Sequence, residues 1–162
     1  QKALSVVIGG LHALEYRGYD SAGIAYFENG VSNEIKRVGR VDALDSQVKQ
    51  LKNTRPDIAI GHTRWATHGS PTIINAHPHH NADKSIFLVH NGIIENHEEI
   101  RAELAKLGYQ FASQTDTEVV AHMLDYYSKQ FDDFDKAFVF TIVNLRHNDL
   151  VIGCAGSHIK PL

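Results

Sequence analysis

Cysteine is nearly absent from this sequence, which contains one, Cys154, among 162 residues. A single thiol excludes an intrachain disulfide framework and fits a reducing compartment. Long apolar runs are also lacking, since no stretch approaches the ~20 residues that cross a bilayer. No signal-peptide pattern opens the chain at Gln1. We therefore expect a cytoplasmic location and no association with a membrane.

Clusters of basic residues are lacking as well. The formal net charge is -3, and no long run of Lys and Arg occurs, which argues against nucleic acid as the main partner. The composition, 43% hydrophobic and 22% charged residues, is that of an ordinary globular protein. A length of 162 residues suffices for one domain with a real core. We therefore assign residues 1–162 to a single domain.

Hydrophobic periodicity predicts a mixture of helices and antiparallel strands. Apolar residues at three- and four-residue steps predict helices at residues 3–14 and 42–52, after Asn96 as N-cap, and after residues 115–118. Strands are predicted at residues 57–61, 86–89 and 109–111. Hairpins are predicted to join residues 24–27 to 34–38 through Asn29-Gly30, and residues 139–144 to 150–155. The predicted fold class is α+β, with helices packed on antiparallel sheet.

One join in this assignment is unusual. Residues 134–138 have the pattern of a helix start, but they run without a turn residue into the strand-like residues 139–143. A helix of that length does not stand alone. We therefore predict that residues are missing from the sequence between about Lys136 and Val139, and peptide mapping across residues 130–145 would test this.

Two predicted strands end in loops rich in polar functional groups. The strand at residues 57–61 leads into residues 62–69 (HTRWATHG), and the strand at 86–89 leads into His90-Asn91-Gly92. Loops held by a rigid sheet often carry catalytic and binding groups. Ordinary polar strand ends explain the spacing alone equally well.

Histidine is the one residue type in excess, with 11 in the chain and seven between His62 and His97. Such a tract can bind metal, but it contains no H-E-x-x-H pair and no cysteine, and Asp83 is the only nearby acid of its loop. We expect no metal, and a metal-dependent hydrolase is the last of the alternatives. No G-x-S-x-G elbow occurs, and Cys154 lies in a predicted strand, so no nucleophile is visible.

The remaining groups are suited to recognition. Arg64 could grip a carboxylate through two hydrogen bonds, and Asp116, at a helix start, could accept an ammonium group. The Asn91 side-chain amide and the Gly92 backbone N–H could form an oxyanion hole. Together they suit a free amino acid with a reactive carbonyl, although their spacing permits this combination rather than requiring it.

Several long motifs together resemble one family. They are residues 14–23 (LEYRGYDSAG), 62–69 (HTRWATHG), 76–79 (AHPH), 90–96 (HNGIIEN) and 115–118 (TDTE). They are similar to the glutaminase domain, a class II glutamine amidotransferase, of glucosamine-6-phosphate synthases, the isomerising glutamine–fructose-6-phosphate aminotransferases. The similarity covers about residues 11–162. It implies an N-terminal nucleophile hydrolase fold, an αββα sandwich of two antiparallel sheets.

The resemblance also implies an activity and a set of site residues. The family hydrolyses L-glutamine to glutamate and ammonia without a cofactor, and the ammonia converts fructose 6-phosphate to glucosamine 6-phosphate for amino-sugar biosynthesis. By motif, Asn91 and Gly92 form the oxyanion hole. The implied substrate-binding residues are Arg64 for the α-carboxylate, Asp116 for the α-ammonium group, Trp65, Thr67 and His68 in a loop that closes on substrate, and Arg17 near the nucleophile. His77 and His79 then order the loop.

The sequence departs from the family at its beginning. The family nucleophile is a cysteine at the mature N-terminus, on a short strand, whereas this sequence opens with Gln1 inside the predicted first helix. We expect that strand to precede Gln1 and the sugar-isomerase domains of the family to follow Leu162. These domains and L-glutamine are the expected partners, with a homodimer in the full-length enzyme. The alternative is a catalytically silent glutamine-binding or interaction module.

Overall fold

The structure is a computed structural model that describes residues 2–56, 58–66, 69–146 and 151–156. The chain divides into two compact units, Gln1–Pro78 and His79–Leu162. Each unit contains a three-stranded antiparallel sheet with helices packed against it. The two units are described in turn.

The first unit has a sheet in the order β2-β1-β3 and two helices. Its elements are α1 (Lys2–Leu14), a 3-10 turn (Glu15–Arg17), β1 (Ser21–Glu28), β2 (Val31–Val38), α2 (Val41–Val48) and β3 (Ile58–Arg64). Asn29 and Gly30 take positive φ values of 52° and 77°, the conformation that a two-residue hairpin turn requires. The central strand β1 places Ile24 opposite Ile35 of β2 and Gly61 of β3.

The core of this unit lies between the helices and the sheet. The apolar stripe expected for α1 is buried, with Leu4, Ile8 and Leu11 each at most 6% exposed. It packs with Ile24 of β1 and Leu44 of α2, which are fully buried. Burial of each side chain of this size contributes about 1.5–3 kcal/mol, so the ends of β1 and β3 are carried on a well-packed scaffold.

The second unit has a sheet in the order β4-β5-β6 and three helices. Its elements are β4 (His79–His80), β5 (Ile86–Asn91), α3 (His97–Lys106), α4 (Glu118–Phe131), α5 (Phe134–Asn144) and β6 (Val151–Gly156). The core forms between the central strand β5 and α4, where Leu88, Val119 and Leu124 are fully buried. This core supports the end of β5 and the start of α4, the two places to which sequence reasoning assigns functional groups.

The predicted α+β class with two antiparallel sheets is confirmed. The helix at residues 3–14 and the first hairpin are found, and the strands predicted at residues 57–61 and 86–89 are found as β3 and β5, which extend to Arg64 and Asn91. The helix α2 ends at Val48 rather than at residue 52. The Gln50 N–H donates to the Gln47 carbonyl and the Leu51 N–H to the Val48 carbonyl, so three-residue turns replace the α-helical pattern there. Within the described part of the chain, no helix is both long and apolar enough to cross a bilayer.

The predicted C-terminal hairpin is wrong in its first strand. Residues 139–144 belong to α5, whose start is capped by Asp133, which accepts a hydrogen bond from the Lys136 N–H at 3.1 Å. Buried or partly buried positions follow helical steps along α5, namely 134, 137, 138, 141 and 142. Packing against α4 therefore overrides the strand propensity of the β-branched run. The second strand exists as β6, which contains Cys154 and pairs with β5, and residues 147–150 of the predicted turn lie outside the described residues.

This continuous helix removes the structural reason for suspecting missing residues between Lys136 and Val139. The suspicion rested on a helix too short to stand alone, whereas α5 has 11 residues. Whether the sequence is complete at this point stays a prediction for peptide mapping.

The predicted strand at residues 109–111 is also wrong. These residues are not in a strand, and two of their side chains contact helices instead. The Tyr109 hydroxyl donates to Asp125 Oδ2 of α4 at 2.7 Å, and the Arg101 guanidinium of α3 lies 4.3 Å from the centre of the Phe111 ring.

Asn96 stands at the N-cap position of α3, as predicted, but its side chain does not cap the helix. Its Nδ2 donates to the Asn144 carbonyl at 2.9 Å, and its Oδ1 accepts the Arg146 N–H at 2.8 Å. The predicted cap is therefore a tie to the end of α5, a contact across 48 residues that no local pattern indicates.

Candidate active site

Arg64, the last residue of β3, is a buried cation in the first unit, with 5% of its surface exposed. Its Nη2 donates to the Gly69 carbonyl at 3.1 Å, and its Nη1 donates to the Ser70 carbonyl at 3.4 Å. Asp20 Oδ1 lies 3.7 Å from Nη1. The loop that follows β3 thus wraps around the guanidinium and fixes its planar fork, the group suited to a carboxylate.

The turn that carries Arg17 lies against the backbone at Arg64. A Cβ atom on Gly18 would stand 2.7 Å from the Arg64 carbonyl carbon, so only glycine allows this approach. The Asp20 N–H donates to the Arg64 carbonyl at 3.2 Å and continues the contact. Arg17 itself is exposed, at the end of the Glu15–Arg17 turn. The structure therefore brings the turn of Arg17 and the strand end of Arg64 together.

Trp65 lies on the surface beside them, with 61% of its area exposed. Its ring meets the ring of Tyr19 edge to face, with 5.5 Å between the centroids. An exposed aromatic pair next to a buried cation suits a wall of a binding site. Thr67 and His68, the other two residues assigned to this loop, lie outside the described residues.

The histidines of the central segment are engaged by protein groups. The rings of His62 and His77 lie 4.2 Å apart, and both are buried. His79 Nε2 is 2.9 Å from the Thr115 hydroxyl, and His90 Nδ1 is 3.2 Å from the Thr117 hydroxyl. In the part of the chain that the structure describes, no group of three or more His, Cys, Asp or Glu side chains could hold a metal ion.

Asn91 and Gly92 lie at the exposed end of β5, in the second unit. Gly92 has a φ of 132°, a region that residues with a Cβ rarely adopt. The chain turns there and then buries Ile94 completely in the core. A side-chain amide and a turn glycine thus stand together, which is the donor pair expected for an oxyanion hole.

Asp116 is buried, with 4% of its surface exposed, and it is tied to that same turn. Its Oδ2 accepts the Ile94 N–H at 2.9 Å, and its Oδ1 is 3.4 Å from the Thr117 hydroxyl. One oxygen of the carboxylate is therefore structural. Sequence reasoning assigned Asp116 to ammonium binding and missed this second bond, because the 22 residues between the partners leave no local signal.

Glu118, at the first turn of α4, had no role in the sequence analysis and proves to be a buried hub. Its Oε1 accepts the Ala112 N–H at 2.8 Å, and its Oε2 accepts the N–H and the hydroxyl of Ser113 at 2.7 and 2.6 Å. His122 Nε2 lies 3.6 Å from Oε1.

These contacts keep the Glu118 carboxylate charged. Burial by itself would raise the pKa of Glu118, but the His122 imidazole, the Ser113 hydroxyl and the two backbone N–H groups outweigh it. Together they lower the pKa from 4.5 to about 2. The acid at the end of the TDTE motif was the available signal in the sequence, since acidic side chains favour the first turn of a helix.

Each unit therefore groups a part of the assigned residues. The first unit places the turn of Arg17 against Arg64 and sets Trp65 beside them. The second unit joins the Asn91-Gly92 turn to Asp116 through the Ile94 N–H. The roles of these side chains toward a ligand stay predictions.

Residues 47–162 match the family model of the glutamine amidotransferase domain. Curated relatives named glutamine–fructose-6-phosphate aminotransferase (isomerizing) are similar over most of the chain. The protein of Corynebacterium glutamicum is 44% identical over 93% of this chain and 26% of its own length. The proteins of Xylella fastidiosa and Pyrococcus horikoshii are 54% and 47% identical over 79% and 90% of this chain. The chain spans about a quarter of the Corynebacterium and Pyrococcus relatives (26% and 24%) and 20% of the Xylella one.

Two solved structures share the fold. Glutamine phosphoribosylpyrophosphate amidotransferase from B. subtilis, complexed with ADP and GMP, is 25% identical with a TM-score of 0.76, over 94% of this chain and 32% of that one. A structure titled as the allosteric regulatory enzyme of purine biosynthesis is also 25% identical, with a TM-score of 0.78, over 94% and 33%. The resemblance in the sequence and the predicted N-terminal nucleophile hydrolase fold are thereby confirmed, and the chain belongs to the glutamine amidotransferase domain family.

Proposed function

We propose that this chain is the glutaminase part of an isomerising glutamine–fructose-6-phosphate aminotransferase. It releases ammonia from L-glutamine, and the ammonia is used to convert fructose 6-phosphate to glucosamine 6-phosphate. The observation that carries the proposal is the bond between Asp116 Oδ2 and the Ile94 N–H. It links the proposed acceptor for the α-ammonium group directly to the turn of Asn91 and Gly92. The names of the relatives support the choice of sugar phosphate.

The reaction proceeds through a thioester. A cysteine thiolate, which the family supplies from its mature N-terminus, attacks the δ-carbon of glutamine and forms a C–S bond. The carbonyl oxygen becomes negative and receives hydrogen bonds from the Asn91 amide and the Gly92 N–H. The C–N bond then breaks, and the leaving nitrogen takes the proton that the thiol gave up, so that ammonia is released. Water adds to the thioester, glutamate leaves and the thiol is restored.

Substrate selection falls to two charged residues, Arg64 and Asp116. Arg64 offers two donors of a fixed fork to the α-carboxylate, at little cost in reorganisation because the loop carbonyls already hold its side chain. The Oδ1 oxygen of Asp116 accepts the α-ammonium group. The family resemblance assigns Trp65, Thr67, His68 and Arg17 to substrate binding as well.

The proposal extends to the partners of the chain and to its location in the cell. The sugar-isomerase domains belong to the same longer polypeptide, which forms a homodimer. The single cysteine fits a reducing, cytoplasmic compartment. L-Glutamine is the small-molecule partner.

The test is release of glutamate from L-glutamine by the full-length protein, together with labelling by a glutamine-like diazoketone and intact-mass analysis. One added label per chain and steady glutamate release are expected. Asn91→Ala should lower kcat by roughly 10²–10³ with little change in KM, the usual loss for one oxyanion donor. Arg64→Ala should mainly raise KM, and the control Asn33→Ala, a change on the partly exposed strand β2, should change neither constant.

Other outcomes would overturn the proposal. Glutamine binding without glutamate release or label would identify a catalytically silent binding module. A kcat unchanged by Asn91→Ala would remove this residue from the oxyanion hole. Glutamate release that required added divalent metal would favour the metal-dependent hydrolase.

A further inference from the structure

The loop that carries Asp116 has no regular secondary structure of its own. It comprises residues 112–117, between Phe111 and the start of α4. The proposed function uses only Asp116 from this loop. One oxygen of its carboxylate is held by the Ile94 N–H, and the position of its backbone depends on the groups that hold the loop, since Asp116 lies in no strand or helix.

Arg101 of α3 holds two carbonyl groups of this loop. Its Nη1 donates to the Ser113 carbonyl at 3.2 Å, and its Nη2 donates to the Thr115 carbonyl at 2.8 Å. The guanidinium also lies 4.3 Å from the centre of the Phe111 ring, which fixes its plane. A planar fork can serve two carbonyls at once, and a lysine ammonium on a flexible stem matches that geometry poorly.

The Thr115 carbonyl is the important contact, because it belongs to the peptide unit that leads into Asp116. A peptide unit is planar, so an oxygen held in place also sets the direction of the following N–Cα bond. The guanidinium therefore acts on the backbone immediately before the Asp116 side chain. This bond is one of the shorter contacts of the loop, at 2.8 Å.

Arg101 donates to carbonyl groups of the loop, whereas Glu118 accepts hydrogen bonds from N–H and O–H groups of the same loop. Its two carboxylate oxygens accept the N–H groups of Ala112 and Ser113 and the hydroxyl of Ser113. Thr115 adds a third tie through its hydroxyl, which is 2.9 Å from His79 Nε2. Side chains of α3, α4 and β4 thus fix the loop at residues 112, 113 and 115, just before Asp116.

The geometry points to Arg101 and Glu118 as positioning residues that aim the Asp116 carboxylate and so set selectivity for ligands with an α-ammonium group. The inference rests on the proposed role of Asp116. It gives a positioning role to two side chains whose described contacts are with protein groups. Weakening either should reduce the advantage of an amino acid over its desamino analogue and leave the rest of the site intact.

The experiment compares L-glutamate with glutarate, which has both carboxylates and no amine. Isothermal titration calorimetry on the full-length protein gives the ratio of Kd for glutarate to Kd for L-glutamate. Arg101→Met should lower this ratio about tenfold and leave the Kd of glutarate within about twofold, because the amine contact alone is lost. Arg101→Lys can serve one carbonyl and should restore part of the ratio.

Two further variants make the outcome specific. Arg146→Met removes an exposed arginine that pairs with Glu99 in the same unit, and it should leave the ratio unchanged. Asp116→Asn is the reference for complete loss of amine selectivity, since its amide oxygen can still accept the Ile94 N–H. Circular dichroism checks that each variant is folded, and Arg101→Lys carries the test should Arg101→Met not fold.

The failures are distinguishable. An unchanged ratio in Asp116→Asn would overturn the proposed role of Asp116 itself. The positioning role alone would be overturned if Asp116→Asn lowered the ratio of the two Kd values to about one while the folded Arg101 variant left it unchanged. If the Arg101 change weakened the binding of both ligands equally, the positioning role would also be overturned, because the effect would be a general structural defect.

Discussion

Replacement of Glu118 by glutamine tests how much stability the buried carboxylate supplies. Glu118→Gln keeps the shape of the side chain and one acceptor oxygen, but it removes the charge that four partners favour. The pKa of the acid falls from 4.5 to about 2 on folding, and each pKa unit corresponds to 1.36 kcal/mol. The charged form is therefore favoured by about 3 kcal/mol in the folded state.

The pH dependence follows from the direction of the shift. Because the folded pKa lies below the unfolded value, the contribution of Glu118 is complete above about pH 5 and is lost as the pH falls toward 2. The wild type should exceed Glu118→Gln by about 3 kcal/mol at pH 7. At pH 3 the linkage relation leaves about 1.4 kcal/mol of that difference, and at still lower pH the two proteins should converge.

Urea unfolding followed by circular dichroism, at pH 7, 5, 4 and 3, gives the free energies of both proteins. Their difference cancels the titration of all other acids. Glu103→Gln, an exposed change on α3, is the matched control and should differ little from the wild type at every pH. A difference of the same size at pH 7 and pH 3 would refute the reasoning, because it would come from shape rather than from charge.

The remaining predictions concern two backbone positions. Gly18→Ala should destabilise the chain by about 1–3 kcal/mol and raise KM for glutamine, since the new Cβ would lie 2.7 Å from the Arg64 carbonyl carbon. Gly9→Ala, in α1 with nothing within 4 Å of the new atom, is its control and should raise the melting temperature; equal effects would contradict the close approach at Gly18. Val143→Ala, at a 70% exposed position of α5, should stabilise by about 0.5 kcal/mol in urea unfolding if residues 139–144 are helical. A loss of stability would favour a strand instead.

Much of the scaffold could be predicted because its signals are local. The spacing of Leu4, Ile8 and Leu11 identifies α1, and Asn29-Gly30 identifies the first hairpin. The strand ends carrying the assigned Arg and Asn also follow from short apolar runs that stop at polar loops. In each case the residues that form the element lie within about ten positions of one another.

The wrong predictions concern residues whose structure depends on contacts distant in sequence. Residues 139–144 have the composition of a strand, but the packing of Phe138 and Ile142 against the core of the second unit favours a helix. Asn96 reads as a cap, yet its amide is used by the end of α5. Both outcomes depend on elements distant in sequence, which local propensity does not describe.

The candidate site divides along the same line. Motifs predict that Asp116 binds a ligand, but the contacts that position it come from Ile94, Arg101 and Glu118. One oxygen of Asp116 accepts the N–H of Ile94 in the turn after Gly92, so the proposed amine acceptor and the proposed oxyanion donors are joined by one hydrogen bond. Loss of the Asp116–Ile94 hydrogen bond itself should therefore affect both proposed roles, amine binding and oxyanion stabilisation. Sequence motifs name the groups that meet a substrate, whereas the buried bonds behind them decide how accurately those groups are held.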